Sequence, residues 1–392
     1  MGLSTIVICQ ERQDVSDSAS AIVLSEAIQQ FDEDEANKLY DSLENMNVSH
    51  SYDVPVYSIA ANQVWGGVQL HDSSPQSMEL LIPLYRHLAD HVTEETETLR
   101  CVGVSGRYLD LIRDLADNKN LELEVSETET ESMTTRSFAI RSVGWLFVSL
   151  FDAFVSLLLR PFFSPSDADI LVKYPIFRPD TFRPIETHAE MESDSVFTLL
   201  TLSYFLRVRS VVDDQTTVIP IRCFSTISSM IESYLFFVDL LYNLLISGRL
   251  EVAVVDAVEA ETDVRLDETV GQLTRRAVWS NLSAYLYYGA ACQIFEKEIY
   301  DSVLLTSTGP SGKALAVPAA TYDVDTYCLP HSIRLQPISV NQSFYTGVFT
   351  EGSIVNHAVE RKRTRFIPTG FPKHLNIYNL RDSMPSTDST NT

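Results

Sequence analysis

Apolar positions recur along this chain with two periods, and the places where the period changes mark its elements. Between 97 and 125 the run LRCVGV leads into a Ser-Gly turn. The next stretch sets Tyr108, Leu109, Ile112 and Leu115 on one helical side, and LELEV then alternates. Strand, helix and strand in that order predict parallel pairing. From 165 onward short apolar strands alternate with helices. The predicted strands are 169–175, 217–224, 250–258, 302–308, 325–332, 342–347 and 365–370. The segment 225–247 reads as a helix apolar on most sides, whose Glu232 and Asp239 argue for burial against a sheet. The pattern predicts an α/β chain: an N-terminal α/β preamble (1–137), an apolar helix (138–164), a doubly wound, mostly parallel sheet (165–380) and a disordered tail (381–392).

The run SVGWLFVSLFDAFVSLLLRPFF, 142–163, is the most apolar. Arg141 and Arg160 bracket about 17 mostly apolar residues, at the lower edge of what spans a bilayer. Asp152 in its middle opposes a lipid-crossing helix. The run reads as a core or interfacial helix or as a transmembrane one. Its aromatic residues, among them Trp145, Phe147, Phe151 and Phe154, suit a membrane interface, which makes the attachment peripheral.

Charge narrows the function classes. There are 53 Asp and Glu against 29 Lys and Arg, a net charge of -24. Such a surface repels nucleic-acid phosphates, so no nucleic-acid partner is expected. The acid excess also fits a halophilic protein hydrated in concentrated salt. Five scattered cysteines without a CxxC pair suggest a reducing compartment, neither a disulfide frame nor a zinc site. With no basic, apolar leader, the expected location is cytoplasmic, at the inner face of the cell membrane. No metal or cofactor is called for: His87 and His91 have helical spacing, but HLADH lacks the glutamate of a zincin.

Candidate chemistry gathers where strands end. After SVLLTST, the loop Gly309-Pro-Ser-Gly312 leads into a short helix; its spacing, without Ser or Thr after Lys313, excludes a Walker A site. His331, at the end of 325–332, can serve as general base or hold an anion. The plain alternative is a hydrogen bond to a neighbouring loop. Thr346-Gly347 and Thr369-Gly370 read as turns after strands. Arg361, Lys362, Arg363 and Arg365 form a basic cluster, either a solvated face or a phosphate or membrane contact.

The order of these motifs resembles the N-terminal half of GT-B-type surface-polysaccharide transferases, a group with CDP-glycerol glycerophosphotransferases, capsular-polysaccharide transferases and UDP-N-acetylglucosamine 2-epimerases. The counterparts are Gly312-Lys-Ala-Leu, Pro330-His331-Ser332, Tyr345-Thr346-Gly347 and the stretch from Arg365 through Gly370 to Lys373, over about 165–380. Ser332 stands where the family has glycine. The resemblance implies a Rossmann-like half of a GT-B fold, on the acceptor side, in cell-surface glycan biosynthesis. His331 would be the catalytic base, and Ser311, Gly312, Ser332, Thr346, Gly347, Thr369, Gly370 and Lys373 would bind substrate. The implied partners are a nucleotide sugar, a lipid-linked acceptor and a second-domain protein. The alternative is a non-catalytic scaffold of the same pathway or a shortened, inactive relative.

Overall fold

The computed structural model describes residues 4–11, 21–31, 78–126, 135–162, 170–173, 195–199, 218–296, 300–305, 310–329, 345–350 and 365–368, with isolated residues between 38 and 59. It divides into two compact units, one drawn mainly from 1–143 and 235–282, the other from 144–234, 283–338 and 342–392. Both have α/β character.

In the first unit β1 (Ser4–Cys9), β2 (Ala21–Val23), β3 (Thr96–Val102) and β4 (Glu122–Ser126) form a parallel sheet in the order β2-β1-β3-β4. The helices α1 (Leu24–Ile28), α2 (Met78–His91) and α3 (Arg107–Lys119) accompany it. As the sequence predicts, β3 and β4 are parallel, with Cys101 level with Val125, and α3 joins them. Tyr108, Leu109, Ile112 and Leu115 are all buried, as their spacing predicts, and Leu111 and Asp114 on other sides of α3 are buried as well.

The chain then enters α4 (Thr135–Leu159), which continues into the second unit and ends in a short 3-10 turn, Arg160–Phe162. It returns through α5 (Ile227–Leu245) to α6 (Arg249–Thr262) and α7 (Asp267–Ser280). The strand expected over 250–258 is therefore helix. Its valines misled because a short apolar run carries no period of its own; the buried set Leu250, Val254, Val258 and Thr262 repeats every four residues, as one helical face. The start of α7 is held by α3: the buried Asp114 carboxylate accepts the backbone N–H groups of Glu268 at 2.8 Å and Thr269 at 2.9 Å.

The second unit holds seven parallel strands: β5 (Ile170–Lys173), β6 (Ser195–Leu199), β7 (Val218–Pro220), β8 (Ser302–Leu305), β9 (Asp325–Cys328), β10 (Gly347–Thr350) and β11 (Arg365–Pro368). Their order is β11-β10-β9-β8-β5-β6-β7, so the chain starts in the middle and winds outward twice. β6 was not among the predicted strands. The run 217–224 is strand only to Pro220 and then turns 3-10. Two helices complete the described part, α8 (Leu282–Phe295) and α9 (Pro310–Thr321).

Within this unit α8 is buried nearly all round, and its Tyr287 hydroxyl donates to the Asp152 carboxylate of α4. Arg222 stands 4.6 Å from the Tyr287 ring centre and donates to the Ser149 hydroxyl and, at 2.9 Å, to the Leu286 carbonyl. The Asp152 carboxylate of this apolar helix thus faces a polar interior, where the Tyr287 hydroxyl offsets part of its desolvation.

Candidate functional site

The sheet of the second unit reverses its winding between β5 and β8. In α/β sheets generally, ligands are taken beyond the carboxyl ends of strands at such a reversal. Register shows what lies there. Val172 is level with Leu304, and Leu305 with Cys328. Lys173, Leu305 and Cys328, the last residues of β5, β8 and β9, therefore stand in one row, and neighbours in a row share a face of the sheet.

That row is ionisable and dry. Lys173 is 9% exposed and Cys328 2%. Burial pulls the Lys173 ammonium down to about 8, partly opposed by the nearby Cys328 thiol. Tyr345, fully buried, is pushed well up by burial and then by Cys328. A second lysine belongs to the same end of the sheet: Lys313, in the first turns of the helix that follows β8, is 1% exposed, and burial brings it to about 7. Amines tuned this close to neutrality can accept a proton or attack a carbonyl, and as cations they hold anions.

The sequence-predicted residues are placed as follows. His331, Ser332, Arg361, Lys362, Arg363, Thr369, Gly370 and Lys373 lie outside the described residues. Arg365 opens β11, with its side chain outside the description. Ser311 and Gly312 form the first turn of α9, where Gly312 is buried beside Lys313. Thr346 immediately precedes β10 and Gly347 is its first residue, which corrects the expected turn after a strand. The Thr346 N–H donates to the Thr326 carbonyl at 2.8 Å, and its hydroxyl accepts the Thr326 N–H at 3.0 Å and donates to Asp325 at 3.0 Å. These bonds start the β9–β10 ladder at its amino end, away from the carboxyl ends of the strands. Sequence reasoning passed over Lys173 and Cys328; the available signal was a lysine closing the otherwise apolar strand ILVK.

The first unit has its own reversal, between β1 and β3. The turn after β3 uses Gly103 (φ 64°) and Gly106 (φ 59°), left-handed conformations that glycine adopts without strain. Its Ser105 hydroxyl donates to the Gln10 side chain at 3.5 Å, beyond the end of β1. The two helix-spaced histidines lie elsewhere: His91 bonds the His87 carbonyl at 2.8 Å, and the rings are 4.5 Å apart. Among the described residues no three His, Cys, Asp or Glu side chains converge as a metal site. Compared with family models, with curated proteins and with solved structures, the chain matches none of them.

Proposed function

We propose that this protein is a glycosyltransferase-like enzyme of cell-surface glycan assembly, whose second unit is a Rossmann-like, GT-B-type half binding an activated, phosphate-bearing substrate. The observation that carries the reading is the reversal between β5 and β8 with buried lysines on either side, Lys173 ending one strand and Lys313 following the other. A strand order that starts centrally and winds outward twice suits nucleotides at the reversal. Two amines near neutrality there would regain full charge against a diphosphate. His331 follows β9 in sequence and serves as the base that takes a proton from the acceptor hydroxyl.

Transfer of labelled sugar from nucleotide sugars to a polyprenyl-phosphate acceptor tests this. His331→Ala should slow transfer by about 100-fold or more, and Lys173→Met and Lys313→Met should weaken binding of the polyprenyl-phosphate acceptor. Equal rates in wild type and His331→Ala would remove the base role. The second reading, a non-catalytic scaffold on the same sheet, is favoured by the closure of that edge, since Lys173, Leu305, Cys328 and Lys313 are all buried. Calorimetry showing no nucleotide or sugar binding, with a stable complex with another glycan-pathway protein, would favour it.

A further inference from the structure

Helix α4 is built inside out. Its buried positions are largely polar: Ser142, Ser149, Asp152 and Ser156 are each at most 2% exposed. Its outward positions are apolar: Ile140, Val143, Phe147, Phe151, Phe154 and Leu158, spaced three or four apart, are between 51% and 69% exposed. A surface helix in water has the opposite polarity. A second apolar stripe lies on α5, which is unrelated in sequence: Ile227, Ile231, Leu235, Val238 and Tyr242, continued by Ile246, are each at least 50% exposed, while its buried positions are mixed, Ser229, Ser233 and Asn243 beside Met230, Phe236, Phe237, Leu240 and Leu244.

We propose that these two stripes are lipid-facing and that α4 and α5 hold the protein in a bilayer, α4 with its polar face turned into the protein. Length is the first argument. At the helical rise the α4 stripe, continued to Phe162, runs roughly 33 Å against about 30 Å of hydrocarbon; the α5 stripe runs roughly 28 Å, and among the described residues α4 alone is by itself long and apolar enough to cross. The second is charge. Arg141 and Arg160 are exposed and roughly 28 Å apart along the axis, at the spacing of the two headgroup layers. Between them the only ionisable residue of α4 is Asp152, which is buried and bonded to Tyr287. On α5 the exposed Glu232 lies near the Ile227 end, within reach of headgroups, and Asp239, midway along, is half-buried. The third is the packing between helices. Inside the second unit, the Tyr234 hydroxyl of α5 donates to the Ser149 carbonyl at 2.7 Å, and Gly289 of α8 lies against Ser229 and Ser233. Polar bonds and small residues are what joins helices in lipid, where burying apolar surface gives no drive. A protein partner would require a polar rim, and the α4 face has none between its arginines.

This inference does not depend on the transferase reading, and its test reads no activity. The full-length protein should float with pure phosphatidylcholine vesicles and stay in the membrane pellet through 1 M KCl and alkaline carbonate. The triple variant Phe147→Glu, Phe151→Glu, Phe154→Glu should lose at least about nine-tenths of that binding while keeping its helical circular dichroism. Should that variant not fold, Phe151→Trp in a background carrying Trp65→Phe, Trp145→Phe and Trp279→Phe gives a second reading: brominated phosphatidylcholine should quench its fluorescence. Release by salt or carbonate would overturn the proposal. So would a protein that stays soluble without detergent, whether as a monomer or as a dimer protecting these stripes, or an unquenched Trp at 151.

Discussion

Asp114 sits where one ionisable side chain holds two distant parts of the chain. Its carboxylate caps α7 across 154 and 155 positions of sequence, and burial still outweighs those hydrogen bonds, raising its pKa to about 6. A folded pKa above the unfolded value near 3.8 means that folding favours the protonated acid. The contribution is therefore complete below about pH 4 and is lost as pH rises through about 6. Urea unfolding of wild type should show stability falling across that window. In Asp114→Asn, which keeps one acceptor and cannot ionise, the slope should largely vanish; an unchanged slope would assign the titration elsewhere. Asp114→Ala should cost about 1–2 kcal/mol, since both N–H groups lose their acceptor. None of this was legible in sequence, where Asp114 is one acid in DLADNK and its partners lie beyond any local window. Lys173 was hidden for a related reason. The strand ending on it could be read, but the row it forms with Leu305 and Cys328 depends on register, and register is set by pairing across strands.

At the scale of elements, α8 packs at van der Waals distance against α5 through Gly289. A methyl group added there would collide with the Ser233 hydroxyl and stand 3.6 Å from the Ser229 carbonyl. Gly289→Ala should destabilise the protein by about 1–3 kcal/mol. Ser233→Ala removes the colliding oxygen and leaves its Cβ at 3.8 Å, so the double variant should recover most of the loss in thermal unfolding. Additive losses would mean that the helices do not meet here. Elements were the more legible level. The β3-α3-β4 unit, the long helices and most strands of the second sheet follow from apolar period alone, and parallel pairing from their order. Where the reading failed, burial decided. Val254, Val255 and Val258 of α6 pack on the buried side of a helix while Val252 is exposed, and Gly347 begins a strand where Thr346 bonds to Asp325 and Thr326. The inversion of α4 could not be read at all, since its hydrophobic content is visible in sequence but the side that faces outward is not.

At the scale of the whole molecule the acid excess is too large for internal pairing. Arg265 already serves three carboxylates, Asp256, Glu259 and Asp267, at 3.1, 2.7 and 2.8 Å, and Arg275 is engaged by Glu251 at 2.7 Å. With 53 acids and 29 basic side chains, many carboxylates must repel one another through solvent. The screening length shrinks from about 10 Å at 0.1 M salt to about 3 Å at 1 M, so that repulsion should fade over this range. The midpoint of thermal unfolding in non-ionic detergent should therefore rise from low to molar KCl at pH 8. Molar salt can also strengthen apolar burial, and pH separates the two causes. Near the calculated isoelectric point of 4.6 the net charge is small. A charge effect should shrink there, whereas an effect on apolar burial should persist. A KCl response equal at both pH values, or none at pH 8, would contradict the halophilic reading of the composition.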